Sequence, residues 1–144
     1  MSMKSFERPV QYMMKEDAFS QWLGLSVDKV DAGYCQLSMK VKPEMLNGFK
    51  ILHGGVAFAM ADSAMAFAAN SHGQLSVVTD AHIQFPASAT EGENLIAEAR
   101  ETARSRKKGF YEVTIKEKET ERLIAKYQGS VYIRSTSIPP ESQQ

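Results

Sequence analysis

From Val56 to Ala69 every residue is apolar except Asp62 and Ser63, with neither the two-residue alternation of a strand nor the one-sided stripe of a surface helix. The run predicts a helix that is apolar on nearly all its circumference and lies inside the molecule. Upstream, Val10, Met13, Met14, Ala18, Phe19, Trp22 and Leu23 recur at three- and four-residue spacing, which predicts an amphipathic helix stopped near Gly24. Leu25 to Asp31 and Tyr34 to Val41 read as two strands joined at Asp31-Ala32-Gly33, since Leu37, Met39 and Val41 alternate with Ser38 and Lys40. Pro43 closes the second strand, and Asn47-Gly48 opens a loop leading to His53-Gly54-Gly55 and the buried helix.

Four more strands are expected at about 75–85, 94–103, 109–117 and 123–134. Tyr111, Val113 and Ile115 alternate with Glu112, Thr114 and Lys116, the pattern of antiparallel strands with one wet face. The connections Pro86–Glu93, Arg104–Lys108 and Glu117–Arg122 are short and favour a meander. The order helix, hairpin, buried helix, four strands predicts an α+β fold: an antiparallel sheet of about six strands wrapped around one long central helix, with an N-terminal helix as a lid or packing element. One domain over residues 1–134 accounts for the chain, and the Pro- and Ser-rich tail 135–144 is expected to be disordered.

Charge narrows the range of partners. Seventeen basic and seventeen acidic residues balance to zero, which removes the electrostatic case for a nucleic-acid or membrane-surface protein and favours a small molecule or a second copy of the chain. The single cysteine, Cys35, permits no intrachain disulfide and lies in an alternating strand as a small core residue. The first residues carry scattered charges in place of the apolar core of a secretory signal, so the expected location is cytoplasmic.

Asp62 in the apolar helix and the glycines that precede it hold the candidate chemistry. An unpaired ionised carboxylate costs several kcal/mol to bury, so the presence of Asp62 needs a reason. Gly54 and Gly55 stand where the helix begins, and their N–H groups are among the free donors of a helix N-terminus, suited to a phosphate or a developing oxyanion. A phosphate loop is disfavoured, because no Gly-Lys-Ser/Thr follows. Asp62 lies eight residues after Gly54, about 12 Å along a helix, too far for one carbonyl to touch both. Cooperation between them therefore requires two chains related by a two-fold axis, with two equivalent sites. His53, His72 and His82 are too dispersed for a metal site, and no Gly-x-Ser-x-Gly elbow is present.

Asn47-Gly-x4-His53-Gly-Gly-x6-Asp62 resembles the motif of the hotdog-fold acyl-CoA thioesterases, in the phenylacetate-degradation (PaaI-type) branch. Tyr111-Glu-Val-Thr-Ile and Ala125-Lys-Tyr-Gln-Gly129 are similar to that branch's last strands, and the likeness runs from about Gln21 to Ile133. The resemblance implies a hotdog fold, a homodimer often paired into a tetramer, and thioester hydrolysis without metal or other cofactor, the coenzyme A thioester being the substrate. It implies that the Gly54 N–H holds the thioester oxygen, with Gly55 supporting the start of the helix. Asp62 of the neighbouring subunit would then act as general base or nucleophile, while Asn47 and His53 orient the reacting groups. Thr79 falls near a position where related enzymes carry a hydroxyl.

Arg104, Arg106, Lys107 and Lys108 form a basic turn that suits CoA phosphates as well as it suits a solvated hairpin. The acyl group is left open between small aromatic and medium-chain. The alternatives are a non-catalytic acyl-CoA-binding or sensing protein of the same fold, and a hydratase of enoyl thioesters, whose Asp/His pair would be placed differently.

Overall fold

The computed structural model describes residues 4–143. Along the chain come α1 (Glu7–Glu16), α2 (Ala18–Trp22), β1 (Ser26–Asp31), β2 (Tyr34–Lys40), a 3-10 turn (Pro43–Met45), α3 (Gly54–Asn70), β3 (Gln74–Gln84), β4 (Asn94–Arg104), β5 (Lys108–Glu117), β6 (Leu123–Ser137) and a closing 3-10 turn (Glu141–Gln143). All six expected strands and the central helix are present. The strands form one antiparallel sheet in the order β1-β2-β4-β5-β6-β3, curled around α3.

The sheet's inward-facing residues meet α3. Met60, Met65 and Phe67 are fully buried from the helix side, and Leu37, Leu95, Ile115, Tyr111 and Tyr127 from the sheet side. Each large side chain of this kind contributes about 1.5–3 kcal/mol by leaving water. Cys35 sits in the same core, where burial pushes its thiol up to about 12. The sheet leaves one stripe of α3 partly open, formed by Val56, Phe58, Ala59, Asp62, Ser63 and Ala66. At the far end of the helix, buried Asn70 donates to the carbonyls of Ala66 and Ser76 and accepts from the Ser76 N–H, which ties α3 to β3.

The structure corrects three expectations. The N-terminal helix is broken at Asp17, whose carboxylate accepts from the Ser20 N–H at 3.0 Å and the Ser20 hydroxyl at 2.7 Å, so that it caps a second short helix. Gly24, at φ +76, still ends the helical region.

Only β4, β5 and β6 form a meander. β3 pairs with β6 at the sheet edge, so the segment from Phe85 to Glu93 crosses over to reach β4. It passes the start of α3, where the Leu52 N–H donates to Ala89 O, and then the end of β2, where the Gly92 N–H donates to Val41 O, and a doubly bonded Arg122–Glu93 pair at 2.8 Å holds its far end.

The tail is tied down at its beginning. β6 continues to Ser137, which pairs with Gln74, and Ile138 is buried with its N–H on Gly73 O. Among the described residues no helix is long and apolar enough to cross a membrane.

Candidate active site

The loop before α3 is built by Asn47. Its side-chain oxygen accepts from the N–H of Phe49 at 2.8 Å and of Ile51 at 3.4 Å, and its backbone N–H donates to Ile51 O. Lys50 takes the left-handed conformation at φ +62, and Leu46 bridges to Leu52 across the base of the loop. This Asx-type turn leaves Phe49 at its tip, 86% exposed.

His53 then caps α3. Its backbone is extended (φ −64, ψ 134), and its Nδ1 accepts from the Gly55 N–H at 2.8 Å. An Nδ1 that accepts leaves the proton on Nε2, which makes the outer ring nitrogen a donor. His53 O takes the N–H groups of Val56 and Ala57.

The N–H of Gly54 is left with no partner among the described residues, the single free donor of the Gly-Gly pair. The two glycines have different reasons to be glycine. A Cβ at 55 would lie 3.0 Å from His53 Nδ1 and displace the cap, whereas one at 54 would lie 3.2 Å from Cζ of Phe85. Gly55, expected to support the start of the helix, does so through its bond to His53.

Asp62 lies on the partly open stripe of α3, half-buried. Tyr127 Oη donates to its Oδ1 at 3.1 Å, and Phe58 meets the Tyr127 ring edge-on at 5.5 Å. Burial raises the Asp62 carboxyl above its ordinary value, and the Tyr127 hydrogen bond opposes part of that rise. The Tyr127 phenol is pushed up by its own burial and by the neighbouring carboxylate. Tyr127 is the site residue that sequence reasoning missed, although the alternation of β6 put it on the inner face. A tyrosine hydroxyl delivered to a core needs a partner, and Asp62 is the polar group opposite.

Beside Asp62, the hydroxyl of Ser63 meets that of Ser20 at 2.9 Å, which fastens α2 to α3. Since Ser20 gives its proton to Asp17, Ser63 is the donor of that pair.

Asn47, His53, Gly54 and Gly55 are thus brought together, with Asp62 further along the same helix. The remaining candidates lie elsewhere. Thr79, at a bulge of β3, bonds the carbonyl and hydroxyl of Ser130 at 3.1 and 2.9 Å. Arg104 donates to Gln74 Oε1 at 3.1 Å, at the beginning of β3 and therefore near the C-terminal end of α3. Arg106 and Lys107 line a surface cavity of about 560 Å3 together with Tyr132 and Arg134. Arg134 was not singled out in the sequence because it is distant in the chain and joins the turn only through the pairing of β5 with β6. A larger cavity, about 850 Å3 and lined by Arg8, Tyr12, Lys15 and Pro139, touches none of the candidate residues.

Comparison with known proteins gives concordant matches. Residues 49–124 match the thioesterase superfamily. A putative esterase from Archaeoglobus fulgidus is 38% identical over 136 residues, covering 94% of this chain and 88% of its own. The acyl-coenzyme A thioesterase PaaI of Escherichia coli is 31% identical over 130 residues, covering 90% and 92%. The solved structure of the E. coli PaaI protein from the phenylacetic acid degradation operon superposes with a TM-score of 0.90 at 28% identity, covering 92% of this chain and 96% of that one.

Proposed function

Because this chain belongs to the thioesterase superfamily, as a hotdog-fold thioester hydrolase of the PaaI type, we propose that it hydrolyses small aromatic or medium-chain acyl-CoA thioesters at two sites shared across a homodimer. In each site the Gly54 N–H of one subunit donates to the carbonyl oxygen as that oxygen gains charge. Asp62 of the neighbouring subunit takes a proton from water as the oxygen attacks the carbonyl carbon. Collapse of the tetrahedral intermediate breaks the C–S bond, and the proton passes to the departing CoA sulfur. Water and thioester are consumed, acid and thiol are formed, and the reaction needs no further cofactor.

The observation that carries this reading is the spacing of two groups on one helix. A free donor at Gly54 and a half-buried carboxylate at Asp62 are eight residues apart, about 12 Å along α3. Two antiparallel copies of α3, meeting along the partly open stripe, would bring each donor opposite the other chain's acid. The exposed edge of β3, with Val77 and Val78 both accessible, is a second surface suited to pairing of like chains. General-base action by Asp62 is favoured by its raised pKa, which makes a carboxylate a stronger base toward water.

In the same reading Asn47 supplies its free Nδ2 and His53 its outward Nε2–H to orient the substrate, with Gly55 holding His53 in place. Arg104, Arg106, Lys107 and Lys108, joined by Arg134, face the CoA phosphates, and Thr79 acts through Ser130. Dimers pair into a tetramer, and the protein works in the cytoplasm.

Mixing two inactive variants tests the shared site. Asp62→Asn lacks the base, and Gly54→Pro lacks the donor at a helix position that accepts proline. Refolded together from denaturant, the two should recover about a quarter of wild-type thiol release, since half the dimers are mixed and each carries one intact site. No recovery from a mixture that demonstrably forms mixed dimers would show that each site lies within one chain.

A further inference from the structure

We infer that Phe85 is a positioning residue for hydrolysis, an apolar shield that keeps water from the Gly54 N–H whatever acyl group is bound. This rests on the reading of Gly54 as the carbonyl donor. Phe85 stands immediately after β3, where the ladder has ended at Gln84, and Pro86 holds it extended. Its ring tip is directed at Gly54: a Cβ there would meet Cζ at 3.2 Å, Cε1 at 3.6 Å and Cε2 at 3.7 Å.

Phe85 is not core filler, since 51% of it remains exposed. In the single chain the position forgoes much of what burial of a phenyl ring contributes, and its ring tip lies beside Gly54, whose N–H has no partner among the described residues. An apolar ring beside Gly54 lowers the local dielectric and occupies space that a competing water would take, and both effects strengthen a hydrogen bond from the N–H to a carbonyl that is gaining charge. Because the shield acts on the donor, it acts on the carbonyl common to every thioester and is indifferent to the acyl chain.

The test is thiol release from wild type, Phe85→Ala and Phe85→Leu with hexanoyl-CoA and phenylacetyl-CoA. The alanine variant should lose about tenfold in kcat with both substrates, less than the 10²–10³ expected for deleting an oxyanion donor outright. KM should move by less than about threefold, the pattern of an interaction used in the transition state. Leucine, also apolar, should restore kcat to within about threefold of wild type.

A loss confined to phenylacetyl-CoA, or one carried by KM, would make Phe85 an acyl-pocket wall and overturn the shield. So would an unchanged kcat, or a leucine variant as slow as alanine at an unaltered melting temperature. Absence of thiol release from wild type would defeat the thioesterase reading itself, an outcome distinct from all of these.

Discussion

Tyr127 and Asp62 share a hydrogen bond of 3.1 Å that joins the sheet to the central helix at the one carboxylate in α3. The bond works against desolvation, which is the larger influence on the acid. The acid limb of the rate profile should therefore lie above the ordinary carboxylate value of 3.8. Tyr127→Phe keeps the ring and removes the hydroxyl, so the acid limb should move to still higher pH. A profile of kcat against pH for the two proteins decides the matter, and a limb that falls in the variant would contradict the assignment.

The same carboxylate should oppose folding. Its pKa is raised in the folded state, so above 3.8 the folded chain holds the proton longer than the unfolded one. Stability then falls as pH rises from that value through the raised one, and the loss persists at neutral pH. Asp62→Asn should melt above wild type at pH 7 while hydrolysing nothing, and the two melting curves should converge below pH 3.8. A melting temperature lower than wild type at neutral pH would show that the ionised acid is well compensated.

Asp17 should be a stability residue. Its carboxylate accepts both the N–H and the hydroxyl of Ser20, which is wholly buried and reaches Ser63. Asp17→Ala removes a helix cap, a loss of about 1 kcal/mol within a usual range of about 0.5–2. Urea denaturation at constant protein concentration should show a midpoint lowered accordingly with the slope unchanged. An unmoved midpoint would mean that α2 is held by its contacts alone.

The outline of the fold was readable because burial imposes a period. β5 and β6 alternate, α3 is apolar all round, and both follow from which faces leave water. Which strand lies beside which is another matter. Alternation determines the face of β3 but not its neighbour, and the crossover from Phe85 to Glu93 is no longer than a hairpin loop in another fold. The break at Asp17 was hidden because the apolar stripe continues in phase across it.

At the site, Gly54 and Asp62 stood out as residues inconsistent with their surroundings. Tyr127 did not, since an aromatic residue on an inward strand position already has a reason to be there. Phe85 carries no such signal, because composition cannot distinguish a ring inside the sheet from one placed against a glycine at its edge. Ser137 and Ile138 were assigned to a loose tail because their pairing depends on Gln74 and Gly73, far away in the chain.

The depth of Cys35 has a bearing on the product of the reaction. Hydrolysis of a CoA thioester liberates a thiol inside the catalyst, and any accessible cysteine would be open to a mixed disulfide with it under oxidising conditions. Cys35 is sealed in the core, and burial holds its thiol in the protonated form up to about 12. Since the thiolate is the species that exchanges, the folded protein offers no partner for its own leaving group, and free coenzyme A can accumulate around it without becoming attached.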